Sequence, residues 1–279
     1  MWSLETVGRP ICAATRGQFQ SFEQHLATAA SSRLRDRAVG PGWMNDEEAI
    51  DMSAPEQEGR LPLIGDPAPA FEAATTNGPM RFPDDYRGKW VILFSHPADF
   101  TPVCTTEFMA FASMTDEFRQ LNAELVGLSI DSTYSHIAWL RTIKEKVEYK
   151  GMKGVEVTFP VIADLTMEVA KKYGMLQPSA STTQAVRAVF LIDPESKVRA
   201  ILYYPLTNGR NMQEIKRLLL AMQKTDEHKV ATPANWQPGE DVIMPTPPTA
   251  QLVDERVAAA GTEYRCADWF LCMKKDPGT

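Results

Sequence analysis

The sequence predicts a three-layer α/β domain on a mixed sheet, over roughly residues 61 to 225. Three observations carry that expectation. Short apolar runs suited to buried strands alternate with amphipathic helical stripes. The last two runs are joined by a tight turn. No apolar run approaches the roughly 18 residues that span a bilayer.

In chain order, the prolines of IGDPAPAFEA (64–73) hold the entry to the domain extended. WVILFS (Trp90–Ser95) reads as the first buried strand. Beyond a loop, Phe108, Phe111, Met114 or Thr115, Phe118 and Leu121 fall at steps of three and four on one helix face. ELVGLSID (Glu124–Asp131) is the next strand and HIAWLRTIKEK (His136–Lys146) the next helix. FPVIAD (Phe159–Asp164) and a short helix to Tyr173 follow. RAVFLID (Arg187–Asp193) and VRAILYY (Val198–Tyr204) flank the turn residues Pro194-Glu195-Ser196-Lys197, which makes them antiparallel. A closing helix buries Met212, Ile215, Leu218, Leu219 and Met222.

The flanks differ in character. Residues 1–60 are rich in Ala, Ser, Arg and Glu and read as a flexible extension with one marginal helix over 22–38. Arg9, Arg16, Arg33, Arg35 and Arg37 leave organellar targeting open, against Glu5, Glu23 and Asp36, and a start at Met52 is a further alternative. Residues 226–279 begin with a proline-dense stretch that cannot be regular helix. Its Trp236, Val242, Ile243 and Met244 need cover, so it is expected as an arm docked on the domain or on a partner subunit. The 29 basic and 36 acidic residues give a net charge of -7, with no footprint for nucleic acid or an anionic membrane. Four cysteines in 279 residues are too few for a disulfide-dense secreted scaffold, and a reducing, cytoplasmic setting is expected.

Chemistry concentrates in HPADFTPVCTTE (His96–Glu107). The strand before it and the stripe after it put Cys104 in the first turn of a helix, just beyond Pro102. Unpaired backbone N–H groups there favour a thiolate, and the Thr101 hydroxyl is placed to donate to it. Spacing alone leaves an inert buried thiol equally open. Other classes fall away on the residues. Thr101 and Glu107 stand three before and three after Cys104, where a dithiol oxidoreductase needs a second cysteine. GLSID has Asp131 where an esterase elbow needs a glycine, and Glu124, Asp131 and Asp164 are not paired as a hydrolase requires. Cys12 reads as an idle thiol. Cys266 and Cys272 lack a second Cys/His pair for a metal. His25, His136 and His228 carry no motif.

The loop resembles the peroxidatic loop of the peroxiredoxins, thiol peroxidases built on a thioredoxin-like fold. Pro97, Thr101 and Cys104 fill its P-x-x-x-T/S-x-x-C pattern. The similarity continues in RAVFLID, ILYYPLTNGRN and ATPANWQPGEDV, over about residues 61–275, and points to the six-type, one-cysteine branch in its archaeal and bacterial members. The resemblance implies that Cys104 attacks a peroxide O–O bond and becomes a sulfenic acid, with Thr101 as the catalytic threonine. Pro97 then shields the sulfur and Glu107 holds the hydrogen-bond network. Arg187 and Arg210 match the family's arginines, and His96 lines the pocket wall. Lys89 and Pro83 stand where some animal relatives carry the serine and histidine of a phospholipase, so that activity is not expected. No cofactor or metal is implied. The implied partners are a peroxide, a thioredoxin-like or small-thiol reductant, and further copies of the chain: a dimer embraced by the C-terminal region around Trp236, assembled into a decameric ring. Archaeal relatives carry a late cysteine pair six residues apart, which implies Cys272 as the resolving thiol across the dimer and Cys266 as its exchange partner or substitute. The alternatives are one working cysteine with an external thiol, a late pair that is idle or bonded to itself, and a redox-regulated chaperone.

Overall fold

A computed structural model describes residues 60–278 apart from Thr262. The helix expected over 22–38 and the idle thiol of Cys12 lie outside the described residues. The chain opens with a hairpin, β1 (Phe71–Thr75) and β2 (Gly78–Phe82), then enters β3 (Trp90–Ser95). Helices α1 (Pro102–Ser113) and α2 (Thr115–Gln120) lead to β4 (Ala123–Ser129) and α3 (Thr133–Lys146). A small ribbon of β5 (Glu148–Tyr149) and β6 (Met152–Lys153) precedes β7 (Val161–Ala163) and α4 (Glu168–Lys172). The hairpin of β8 (Arg187–Ile192) and β9 (Val198–Tyr204) is followed by α5 (Met212–His228). The C-terminal region adds β10 (Val242–Ile243), α6 (Ala250–Ala258), β11 (Tyr264–Asp268) and β12 (Leu271–Lys274).

Seven strands form one sheet in the order β2-β1-β7-β4-β3-β8-β9. Its centre, β7-β4-β3, is parallel, and both wings are antiparallel, so the sheet is mixed. The parallel strands are largely apolar because both faces are covered. Along β3, Trp90, Ile92 and Phe94 enter the core beneath α1, α3 and α5, while Val91 and Leu93 enter the opposite core with Val169 and Tyr173. That alternation is the two-residue period of a strand. At Gly127 in β4 the helix layer comes close, since a Cβ there would lie 3.3 Å from Phe108 Cζ.

Two local features depart from the sequence expectation. Residues 71–82 form a hairpin where only an extended entry was foreseen. Its tight turn is closed by Thr75, whose Oγ1 donates to the Gly78 carbonyl and accepts from the Asn77 N–H. The aromatic stripe after Cys104 is split at Met114 into two helices, yet Phe108, Phe111 and Phe118 remain fully buried.

Trp236 decides between the two docking surfaces expected for the C-terminal arm. It is only 1% exposed, packed with Val230 and Val242 against Ala221 of α5, and its Nε1–H donates to the Glu240 carbonyl at 3.0 Å. Its own chain covers it, so it is not a surface awaiting a partner. In the C-terminal region the exposed aromatics are instead Trp269 and Phe270, in the turn between β11 and β12. Trp236→Ala is expected to cost about 3–5 kcal/mol in urea unfolding and to speed proteolysis after residue 230. An unchanged unfolding midpoint would show that the arm is not anchored there.

Candidate active site

The end of β3 delivers the loop 96–101 to the start of α1. Thr101 is the N-cap in extended conformation, Pro102 is the first helical residue, and Cys104 lies in the first turn, fully buried. Proline suits that position because its missing N–H has no helical partner to lose. Thr101 does not address the sulfur as the sequence suggested. Its hydroxyl donates back to the Ala98 carbonyl at 2.9 Å, bracing the turn.

One turn further on, Glu107 is the hub. Its carboxylate accepts from Arg187 Nη1 at 2.7 Å and from Arg210 Nη2 at 2.6 Å, Nε at 2.9 Å and backbone N–H at 2.8 Å. Arg187 also donates from Nη1 to Cys104 Sγ at 3.3 Å and from Nε to the Leu206 carbonyl at 2.9 Å. Arg210 donates from Nη1 to the Ser95 and Ala188 carbonyls. Arg210 thus holds the carboxylate, and Arg187 connects it to the sulfur. Burial alone raises the Glu107 carboxyl, but the charge and hydrogen bonds of Arg210 and the charge of Arg187 outweigh it and leave the group below its ordinary range. Two guanidiniums against one carboxylate leave a surplus positive charge, and its open contact is Cys104.

Behind the loop lies a second buried cluster that sequence reasoning missed. Asp99 Oδ1 is 3.0 Å from His96 Nε2, and Asp99 Oδ2 is 2.9 Å from His136 Nδ1. His136 Nε2 lies 3.2 Å from the Ile162 carbonyl. Burial holds His96 below its ordinary value, so the ring is neutral, with its proton on Nε2 and an unpartnered lone pair on Nδ1. Burial pushes the Asp99 carboxyl up, and the hydrogen bonds of His136 and His96 more than offset this, keeping it ionised. His96 is therefore fully buried behind the loop, stacked on Trp139 at 5.2 Å. These are metal-ligating residue types within 4.8 Å of one another, and their mutual contacts are hydrogen-bond lengths. Nothing in the sequence singled out this pair: Asp99 fills an unspecified position of the loop pattern, and His136 lies 37 positions further on, outside it.

Pro97 is buried within the loop. Cys266 and Cys272 lie in register opposite each other on β11 and β12 and are joined as a disulfide, so Cys104 is the free cysteine among the described residues.

Residues 64–201 match the AhpC/TSA family, and residues 221–258 match the C-terminal domain of 1-Cys peroxiredoxin. A peroxiredoxin of Methanosarcina mazei is 69% identical over 216 residues, covering 77% of this chain and 99% of that protein. The chain belongs to the peroxiredoxin family. A second peroxiredoxin, from Aquifex aeolicus, is 54% identical over 225 residues, 77% of this chain and 97% of that one. The yeast mitochondrial 1-Cys peroxiredoxin, whose thiol is resolved via glutathione/thioredoxin systems, superposes with a TM-score of 0.66 at 41% identity, over 77% of this chain and 100% of that chain. Peroxiredoxin 6 of Arenicola marina, in a cysteine-to-serine mutant, gives 0.66 at 33% identity over 78% and 99%. The fold is accordingly the thioredoxin-like fold of peroxiredoxins, and the activity is that of a thiol peroxidase.

Glu107 also sets an acid limit on stability. A carboxyl whose folded-state value lies below its unfolded one binds its proton more readily in the unfolded chain, so acid favours unfolding. Its contribution is whole above the ordinary glutamate value of about 4.3 and is lost as pH falls below that. Urea titrations should therefore show a steeper loss of stability below about pH 4.3 in the wild type than in Glu107→Gln. The variant should already be about 3–5 kcal/mol less stable at neutral pH, because it strands buried guanidiniums. Equal slopes would show that the carboxyl is not held down.

Proposed function

We propose that Cys104 is the peroxidatic nucleophile and that Arg187 orients and charges it. The observation that carries this reading is the 3.3 Å contact from Arg187 Nη1 to Cys104 Sγ, made by a guanidinium already fixed on Glu107 and the Leu206 carbonyl. The thiolate attacks the terminal oxygen of a hydroperoxide, and the S–O bond forms as the O–O bond breaks. Cys104 leaves as a sulfenic acid, and the departing alkoxide or hydroxide takes a proton from water. Negative charge moves from sulfur to the leaving oxygen, and a fixed guanidinium beside the sulfur serves both ends of that path. Arg210 acts through Glu107. Thr101 shapes the loop turn through Ala98, and Pro97 keeps water from the sulfur.

In the next step Cys272 of a partner subunit attacks the sulfenic sulfur, releasing water and forming a disulfide. Cys266 then displaces Cys104 from Cys272, leaving the Cys266–Cys272 disulfide for an external thioredoxin-like or small thiol to reduce. The cross-strand register of those two residues, and their pairing, support the exchange. Support for a dimer, and for a ring of dimers, comes from exposed Trp269 and Phe270 and from Leu252 and Val257 on α6, none of which the chain covers itself. A second reading, in which an external thiol resolves Cys104 directly, is favoured by the match to the 1-Cys C-terminal domain and by a late pair already bonded to itself.

Cys104→Ser is expected to abolish peroxide turnover with the fold retained. Near-normal turnover would sink the assignment. Arg187→Lys keeps the charge and loses the fork, and a charged hydrogen bond is worth about 1.5–3 kcal/mol. The second-order rate with peroxide should fall roughly ten- to a hundredfold, and an unchanged rate would remove Arg187 from the chemistry. The resolving step is read on non-reducing gels after one equivalent of peroxide. A dimer band that peptide mapping assigns to Cys104–Cys272, trapped in Cys266→Ser where no exchange can follow and absent from Cys272→Ser, is expected. A sulfenic acid that persists until a thiol is added would favour the second reading.

A further inference from the structure

Cys104 is fully buried in the first turn of α1, so a resolving thiol or bulky reagent reaches it only if that turn moves, and the loop 96–101 is the segment that leads into it. What holds that loop is therefore what decides access. On one side α1 is gripped by the Glu107 cluster. The loop itself is tied elsewhere. The His96 N–H donates to the Leu128 carbonyl at 2.9 Å. The Asp99 N–H donates to Asp131 Oδ2 at 2.9 Å, and Ser129 Oγ donates to the same oxygen at 2.7 Å. The Asp99 side chain reaches across to α3, where His136 Nδ1 is 2.9 Å away, and His136 Nε2 in turn lies 3.2 Å from the Ile162 carbonyl in β7. Each nitrogen of the His136 ring faces one acceptor, the Asp99 carboxylate and the Ile162 carbonyl. One imidazole thus bolts the loop carboxylate to the far side of the sheet.

The next residue shows what that bolt works against. Phe100 sits at φ 55, the left-handed region that bulky side chains avoid, and its ring is 58% exposed. The ring's own packing therefore does little to hold the backbone there. The fixed neighbours do: Asp99 before it, clamped by two imidazoles, and Thr101 after it, bonded to Ala98.

We infer that Asp99 and His136 form a latch that keeps a strained loop closed over Cys104, with His136 as a positioning residue that sets how often the sulfur becomes accessible. The latch touches neither peroxide nor sulfur and acts through Phe100. Released, Phe100 relaxes to an ordinary backbone conformation, and the loop lifts from the helix start. The latch thereby trades peroxide capture, which needs the closed loop, against resolution, which needs it open. That consequence rests on Cys104 being the nucleophile; the latch itself does not.

The test follows Cys104 alone, by peptide mapping of the reduced full chain labelled with a bulky disulfide reagent in native buffer. His136→Phe keeps an aromatic ring and removes both ring-nitrogen contacts. Asp99→Asn is the milder variant, should His136→Phe fail to fold. In either, Cys104 labelling should speed up about tenfold or more while the second-order rate with peroxide falls. The discriminating variant adds Phe100→Gly, because glycine adopts positive φ without strain. On either background it should return labelling and peroxide rate toward wild type, with Phe100→Gly alone as control. A packing role for His136 would give no such rescue. Unchanged labelling in both variants, or faster labelling that Phe100→Gly does not reverse, overturns the latch. If wild-type Cys104 labels as expected yet ignores peroxide, the nucleophile assignment fails and the latch stands.

Discussion

Everything at this site hangs on one buried carboxylate held between two guanidiniums. Glu107 accepts four hydrogen bonds from Arg187 and Arg210, and the three residues are almost wholly withdrawn from solvent. Removing charge from water is costly, and a pair repays it only with good geometry and satisfied partners. Here a third charge is deliberately unbalanced. With two cations and one anion, the cluster is neutral only when a further negative charge is present, and Arg187 offers its contact to Cys104. The sulfur is thus the group on which the cluster's charge balance rests.

The fold explains why these groups meet. Glu107 and Cys104 stand three residues apart on α1, so one face of one turn carries nucleophile and anchor together. Arg187 begins β8, which lies next to β3, the strand whose end launches the loop. Arg210 precedes α5 and donates to the Ser95 and Ala188 carbonyls on those two strands, welding helix start, β3 and β8 into one block. The opposite side of the loop is held by different chemistry, the Asp99–His136 contact with α3. The helix start therefore has two grips, one electrostatic around the sulfur and one through the loop that leads into it.

Much of this was legible in the sequence, for physical reasons. β3, β4, β8 and β9 announce themselves because a sheet with helices on both faces needs unbroken apolar runs. The groups on α1 were legible because they fall on a local pattern, and Arg187 because it opens a strand. The hairpin of β1 and β2 was not, since its buried Phe71, Met80 and Phe82 alternate with exposed residues and are interrupted by Gly78 and Pro79. Thr101 was assigned a bond to sulfur that its turn geometry gives to Ala98 instead. Asp99 and His136 were invisible because a contact between a loop and a distant helix leaves no spacing to read. The cover of Trp236 was left open between domain and partner for a related reason: what covers an aromatic in a proline-rich arm depends on where the arm folds back, here onto α5.

The surplus charge beside Cys104 is tested most directly by the ultraviolet thiolate absorption of the reduced protein near neutral pH, taken as the difference between wild type and Cys104→Ser. A thiolate band in that difference, lost when Arg187→Met removes the guanidinium, is the expected result. No thiolate band in the wild type, or one that survives intact in Arg187→Met, would contradict it.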